Sequence, residues 1–225
     1  EQMEFHIVFH ALNQFCAVEL SAFYLDITKD RLYASSANDP GRRAAQSVLH
    51  EIVLTLIKLM APILSFTAEE LWQALPAARR HDLASVHLAE FPEPQERYGT
   101  IAAEWDKLRS VREEVLPVLE KARQDKTIGA SLEAQVTLRA FSTRYQLLRR
   151  NESVLPELFI VSSVTLEADP AISPDQIEIR VLSATGGKCE RCWIFRETVG
   201  KTEATPTLCD RCVEAIKGHD TDKGL

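Results

Sequence analysis

The sequence contains no hydrophobic run long enough to cross a membrane. Its longest apolar stretch, at residues 52–64, is interrupted by Thr55, Lys58 and Pro62. This stretch therefore predicts a buried helix. The first four residues are acidic and polar, whereas a secretory leader begins with cationic residues. We accordingly expect a cytoplasmic protein.

Glycine is scarce, with 8 glycines among 225 residues, and none of them belongs to a glycine-rich loop of the kind that cradles phosphates. The chain has 5 cysteines, and an odd number argues against a disulfide framework.

Apolar residues make up 45% and charged residues 26%, which does not indicate a disordered or fibrous chain. The length suits one large domain, or two modest domains with a small appendix.

Negative charge predominates, with a formal net charge of -7. Phosphate binding depends largely on released counterions, so an acidic chain is not typical of nucleic-acid-binding proteins. The charge is uneven, however. Residues 104–151 contain ten Lys or Arg against seven Asp or Glu, whereas residues 1–90 contain seven against eleven. Any phosphate-binding surface must therefore be a local patch.

Residues 1–125 are predicted to form a helical bundle with a connecting strap near residues 83–99. Apolar residues recur at spacings of three and four along residues 5–25, which predicts a helix with a wide buried face. Short connections between helices favour an antiparallel arrangement. The predicted helices span residues 5–25, 40–60, 68–75 and 100–126.

Local signals predict where these helices begin and bend. Asp39 is a suitable N-cap for a helix whose first residue is Pro40. Thr67 and Glu70 have the spacing of a capping box, which predicts a helix start directly after Thr67. Pro117 should bend the last helix, because proline removes a hydrogen bond inside a helix.

The periodicity changes after Gly129. Residues 126–184 contain three short segments with alternating or continuous apolar, β-branched residues and one polar segment that can form a helix. We therefore predict a small α/β junction subdomain over residues 126–184. Its predicted strands span residues 134–140, 158–167 and 177–182, and its predicted helix spans residues 143–151.

The strongest chemical signal is a pair of Cys-x-x-Cys motifs separated by sixteen residues. This spacing is typical of a tetrahedral zinc site with the ligands Cys189, Cys192, Cys209 and Cys212. Four sulfur ligands leave no position for an activated water, so we predict one structural Zn²⁺ and no catalytic metal. The alternatives are two redox dithiols or four free cysteines in a small core.

We assign this zinc-binding knuckle to residues 185–217 and predict a frayed tail over residues 218–225. A module of about thirty residues has little core of its own, so metal binding should supply on the order of 10 kcal/mol of its folding free energy.

Several cations and an aromatic residue surround the predicted zinc site. Lys188, Arg191 and Arg211 can offset the charge of -2 that four thiolates around a divalent cation carry. Together with Trp193 they can instead form a surface that stacks on unpaired bases and pairs with phosphate. Trp193 can equally pack beside the knuckle, and the sequence leaves both readings open.

Five segments resemble a known family. Residues 15–33 (FCAVELSAFYLDITKDRLY) and 60–72 (MAPILSFTAEELW) resemble the anticodon-binding helical domain of the isoleucyl, valyl and leucyl class I aminoacyl-tRNA synthetases. Residues 126–134 (KTIGASLEA), 187–193 (GKCERCW) and 208–213 (LCDRCV) resemble the bacterial isoleucyl enzymes in particular. The resemblance is to the C-terminal region of those enzymes and spans nearly the whole chain.

This resemblance implies a mainly α fold: an anticodon-binding helical bundle, a small α/β junction and a four-cysteine zinc knuckle. It implies binding to the anticodon stem-loop of isoleucine tRNA, with the catalytic domain of the same parent chain as the second partner. The four cysteines match the family's zinc ligands. Mapped onto this sequence, the candidate tRNA contacts are Lys29, Arg31, Arg42, Arg43, Lys188, Arg191, Trp193 and Arg211.

The family's ATP signatures, of the HIGH and KMSKS types, do not occur in this sequence. The resemblance therefore implies a ligase as the parent protein, whereas this chain alone should not form an aminoacyl-adenylate. No heptad seam is evident, so we expect a monomer.

The sequence is compatible with two alternative functions. A similar four-cysteine knuckle grips duplex DNA in the glycosylases that excise oxidised bases, but those enzymes begin with a Pro-Glu nucleophile, and this sequence begins Glu1-Gln2-Met3. In the other alternative the knuckle is purely structural. Replacing Trp193 would then change stability and leave RNA affinity unaltered.

Overall fold

The computed structural model describes residues 4–80, 82–94 and 99–220. The chain divides into two compact units. Residues 1–23 and 38–97 belong to the first unit, and residues 24–37 and 98–225 belong to the second. Most of the predicted frayed tail and the end of the predicted strap lie outside the described residues.

The chain is helical without a break from Phe5 to Ala34. Helix α1 spans Phe5–Gln14, a π-helical segment spans Phe15–Leu25, and helix α2 spans Asp26–Ala34. The predicted end near residue 25 is therefore wrong, since the segment after it continues as α2. The spacing of three and four predicts an α-helix and gives no signal for the wider π turns.

The predicted buried face of this first helix is also wrong. Neither α1 nor the π-helical segment contains a buried residue, and Phe5 and Phe9 are 49% and 52% exposed. An apolar stripe shows that one face of a helix could be covered, but burial requires a packed neighbour, which the stripe does not specify.

The remaining helices of the first unit are α3, Pro40–Met60, and α4, Ser65–Ala74. Asp39 caps α3 as predicted, because its carboxylate accepts a hydrogen bond of 2.8 Å from the backbone N–H of Arg42. The core of this unit is apolar and includes Trp72, which is 1% exposed and whose indole N–H donates to the Leu83 carbonyl. The buried core residues are Ile57, Ala61, Ala68, Trp72 and Val86.

The predicted capping box at Thr67 is wrong. Helix α4 begins at Ser65, so Thr67 already lies inside it. The adjacent Glu69, which was not part of the predicted box, accepts hydrogen bonds from the Ser85 hydroxyl at 2.7 Å and from the Val86 N–H at 3.0 Å. A Thr-x-x-Glu pattern can lie inside a helix, as it does here, so it does not by itself fix where a helix begins.

The second unit contains α2 and a long helix, α5, Gly99–Gln124, close to the predicted range. Pro117 lies inside α5. The helix buries one apolar face against its unit, and that face consists of Leu108, Val111, Val115, Leu119 and Ala122.

A three-stranded sheet follows α5, in the order β2–β1–β3. Strand β1, Ala134–Ala140, is central and pairs in parallel with β2, Ser163–Ala168, and antiparallel with β3, Ile177–Ser183. Side chains of β1 alternate between buried and half-buried, as its sequence pattern predicts. Helix α6, Ser142–Arg150, lies between β1 and β2 along the chain, close to the predicted range.

The predicted second strand begins too early. Its first residues instead belong to a short helix, α7, Leu155–Phe159, and Ile160 ends that helix in the left-handed conformation. Leu155, Leu158 and Phe159 are all buried there. A short apolar run suits either a buried helix or a buried strand, so its periodicity could not decide between them.

Candidate zinc centre and nucleic-acid interface

The four paired cysteines come together at the end of the second unit. The first pair lies within a hairpin formed by β4, Gly187–Lys188, and β5, Phe195–Arg196. The second pair lies at the start of helix α8, Asp210–Asp220. The sulfur atoms of Cys189, Cys192, Cys209 and Cys212 all lie within 4.8 Å of one another.

This arrangement fits a tetrahedral zinc ion. Zinc–sulfur bonds of about 2.3 Å require sulfur atoms about 3.8 Å apart. The Sγ atoms of Cys192 and Cys209 are 3.8 Å apart, which is also too far for a disulfide. When bound, the metal would be held by four sulfur ligands and would serve a structural purpose.

Backbone geometry shapes the first cysteine turn. The N–H of Cys189 donates to the Ile194 carbonyl at 3.1 Å, and the N–H of Trp193 donates to the Cys189 carbonyl at 2.8 Å. Just before the hairpin, Gly186 has φ +86°, and a Cβ at this position would lie 2.4 Å from the carbonyl carbon of Arg196. Only glycine fits so close an approach.

The protein environment lowers the pKa of one of the clustered thiols and raises the pKa of two others. Burial raises the pKa of Cys189, but hydrogen bonds from the backbone N–H groups of Cys192, Cys209 and Arg191 outweigh it and lower that pKa to about 6. Burial raises the pKa of both Cys192 and Cys209. Zinc binds thiolates, so metal binding must release protons from this site.

Trp193 lies on the surface of the knuckle. It is 59% exposed, and the Lys188 ammonium lies 5.2 Å from the centre of an indole ring. Its backbone is left-handed, with φ +64°. That conformation is uncommon for a bulky residue, and glycine would adopt it without strain.

The two arginines of the Cys-x-Arg-Cys motifs are directed at helix α2. Arg191 donates to the carbonyl of Ala34 and, at 3.5 Å, to that of Tyr33. Arg211 forms a bidentate ion pair with Asp30, in which one of the two hydrogen bonds measures 2.6 Å. Hydrogen bonding to Asp30 raises the pKa of Arg211, and Cys192 contributes to the same shift.

The other predicted tRNA contacts lie outside the knuckle itself. On α2, Lys29 pairs with Asp26 at 2.6 Å and Arg31 pairs with Glu157 at 2.5 Å. Arg42 and Arg43 lie in the first turn of α3, in the first unit. The structure thus brings Lys188, Arg191, Trp193 and Arg211 together at the knuckle.

Neither Asp30 nor the final carbonyls of α2 were predicted from the sequence to contact the knuckle. Asp30 lies next to Lys29 in the sequence, and nothing in that local pattern indicates that it contacts a residue 181 positions away.

Several arginines of the cationic segment 104–151 form ion pairs within the protein. Arg144 pairs with Glu114, and Arg150 pairs with Glu104 at 2.8 Å. Arg139 lies among the three carboxylates of Glu167, Asp169 and Glu178. The net positive charge of this segment is therefore partly neutralised by neighbouring carboxylates.

Among the described helices, none combines the length and apolar character needed to cross a bilayer.

Helices in the first unit and a four-cysteine cluster in the second agree with the class of protein that the sequence resembles, the tRNA-binding region of an aminoacyl-tRNA synthetase. The family described as anticodon-binding domain of tRNA ligase matches residues 1–138, and the zinc finger found in FPG and IleRS matches residues 186–215. The chain belongs to the family of anticodon-binding domains of tRNA ligases, and it carries a structural zinc site.

The chain is similar to isoleucine–tRNA ligases from several bacteria. The chain is 43% identical to that of Desulforamulus reducens over 230 residues, which cover 98% of this chain and 25% of the relative. It is 44% identical to that of Carboxydothermus hydrogenoformans (95% of this chain, 23% of the relative) and 44% identical to that of Geobacter sulfurreducens (96% and 24%). The chain thus spans about a quarter of the length of these relatives.

Proposed function

We propose that this chain is the C-terminal part of an isoleucine–tRNA ligase and binds the anticodon stem-loop of isoleucine tRNA. Binding there would position the acceptor end for ATP-dependent aminoacylation by the catalytic domain of the parent chain. The observation that carries the proposal is similarity over nearly the whole chain to isoleucine–tRNA ligases. We expect it to act in the cytoplasm as a monomer.

The zinc ligands in this proposal are the four clustered cysteines, and Trp193 is the principal RNA contact. A left-handed residue beside a tight turn is most stable as glycine, so a tryptophan there weakens the fold slightly. An exposed ring with an adjacent Lys188 ammonium suits an unpaired anticodon base and its phosphate. The strained position therefore supports a role for the ring in binding.

The first experiment is a titration of the zinc-loaded chain against isoleucine tRNA, a valine tRNA and a short DNA duplex at one salt concentration. We expect tighter binding to isoleucine tRNA than to the other two. Equal weak binding to all three would contradict recognition by this chain alone. Tighter binding to the duplex would favour the alternative, a DNA-binding module of the glycosylase type.

Trp193→Gly separates binding from folding. It removes the ring and relieves the left-handed strain, so the knuckle should keep its zinc and become no less stable. Affinity for isoleucine tRNA should fall about tenfold, the loss expected for one stacked base. Trp193→Ala is the matched control, because it removes the same ring and retains the strained φ. Unchanged tRNA affinity in both variants would show that Trp193 has a structural role only.

A further inference from the structure

We propose that Arg191 and Arg211 are positioning residues that clamp the zinc knuckle to the C-terminal half of α2. In this proposal they hold Trp193 and Lys188 in place, and neither guanidinium binds RNA. The inference about RNA rests on the proposed function, whereas the clamp itself does not.

The clamp is built from equivalent positions of the two cysteine motifs. Each arginine directly precedes the second cysteine of its Cys-x-Arg-Cys turn, and each guanidinium reaches α2. Arg191 donates to the carbonyls of Tyr33 and Ala34, which are among the last of the helix. The final carbonyls of a helix have no partner within it, and a cation is favourable at that end.

Arg211 provides the second point of attachment, one turn earlier on α2. Its ion pair with Asp30 is bidentate, and both side chains are 31% exposed. A bidentate pair fixes the orientation of the guanidinium as well as its position. Two attachment points on one helix restrict movement of the knuckle more than a single point would, in addition to the hydrogen bond from the Phe195 N–H to the Ser162 hydroxyl.

The clamp is also linked to the metal site. Arg191 Nη1 lies 3.6 Å from the sulfur of Cys212, a cysteine of the opposite pair. Cys192, which lies in the pair opposite that of Arg211, helps to raise the pKa of Arg211. A bound zinc ion with four thiolates has a net charge of -2, so it attracts both guanidinium groups and holds them where they meet α2.

This arrangement changes the expected roles of two predicted tRNA contacts. A guanidinium that already pairs with a carboxylate offers little net charge to a phosphate. Arg211 is engaged by Asp30, and Arg191 by backbone carbonyls and a sulfur atom. Of the four predicted contacts at the knuckle, Lys188 and Trp193 remain suited to direct RNA contact.

Asp30→Asn in the zinc-loaded chain tests the clamp, because the clamp and a direct phosphate contact predict opposite changes in tRNA affinity. If Arg211 is a positioning residue, removing its partner should loosen the knuckle, increase hydrogen exchange over residues 187–216 and weaken isoleucine tRNA binding about fivefold. If Arg211 contacts phosphate directly, removing a nearby negative charge should leave tRNA affinity unchanged or raise it. That second outcome would overturn the proposal.

Two further variants complete the test. Arg211→Lys keeps the positive charge beside the cysteines but loses the bidentate contact with Asp30, so it should also increase exchange over residues 187–216 and weaken isoleucine tRNA binding, and unchanged exchange would argue against the clamp. Asp26→Asn is the matched control, because it removes the same charge from α2 at a residue whose partner, Lys29, lies on α2 itself. It should leave the exchange of the knuckle unchanged.

Zinc content is measured for every variant, and the affinity comparison uses fully loaded protein. The exchange measurement separates the two proposals. If the wild-type chain shows no preference for isoleucine tRNA while Asp30→Asn still increases exchange in the knuckle, the proposed function fails and the clamp stands. Unchanged exchange in Asp30→Asn overturns the clamp whatever the RNA data show.

Discussion

The first unit and the zinc knuckle achieve a buried centre by different means. In the first unit the centre is apolar, with Trp72 and Ile57 each 1% exposed. In the knuckle the buried cluster consists of Cys189, Cys209 and Cys212, with Val199 and Leu208 packed against it. Burial of hydrocarbon stabilises the first region, whereas metal ligation must stabilise the second.

This difference shows why a segment of about thirty residues can be ordered at all. So short a segment buries too little apolar surface to offset its conformational entropy. A structural zinc ion replaces that missing burial with bonds to four thiolates. The two regions should therefore respond to different perturbations.

The largest effect is expected from removing a zinc ligand. Cys189→Ala, or chelation of the metal, should abolish a contribution on the order of 10 kcal/mol and unfold residues 187–216. Helices α3 and α4 should persist, because their core is apolar. Hydrogen exchange resolved along the chain measures both regions at once. Cys16→Ala is the control, since Cys16 is outside the cluster. Continued protection of the knuckle after Cys189→Ala would contradict this prediction.

The converse perturbation is Trp72→Ala. Loss of this fully buried indole should cost about 3–5 kcal/mol and destabilise the first unit, as circular dichroism during denaturation would show. Zinc content should be unchanged, because the metal site uses none of that core. Simultaneous loss of zinc would show that the two regions do not differ in the way proposed. Trp193→Ala is the matched control, as it removes an exposed indole and should alter stability little.

The smallest expected effect is a pH-dependent change in the stability of the first unit, caused by Glu69. Hydrogen bonds from Gln73, Ser85 and the Val86 N–H hold the pKa of Glu69 below its ordinary value of 4.5. A carboxyl with a lowered pKa in the folded state stabilises that state above the ordinary pKa, and this contribution is lost as pH falls through the lowered value.

Glu69→Gln should consequently be less stable than the wild type near neutral pH, with the difference shrinking below about pH 4.5. Thermal unfolding across this pH range measures it. Glu70→Gln, the same change at the adjacent exposed residue, should show no such convergence. A Glu69→Gln deficit that is independent of pH would rule out the ionised carboxylate as its cause.

Several features could be predicted from the sequence because their signals are local. Asp39 and Pro40 define the start of α3, alternation defines β1, and the cysteine spacing defines the metal cluster. Each of these features depends on residues close together in the chain or on the fixed coordination chemistry of zinc. The resemblance to the synthetase family adds specificity, because it identifies combinations of motifs that no single periodicity would.

Other features were decided only by the tertiary structure. The exposed face of α1, the late start of β2 and the engagement of Glu69 with Ser85 all depend on which neighbour is available. The same is true of the knuckle. Cysteine spacing determined that residues 189–212 can form a zinc site, but Arg191 and Arg211 meet α2 across 157 and 181 positions of sequence. Local residue preferences contain no information about such contacts, because they arise only when folding brings distant segments together.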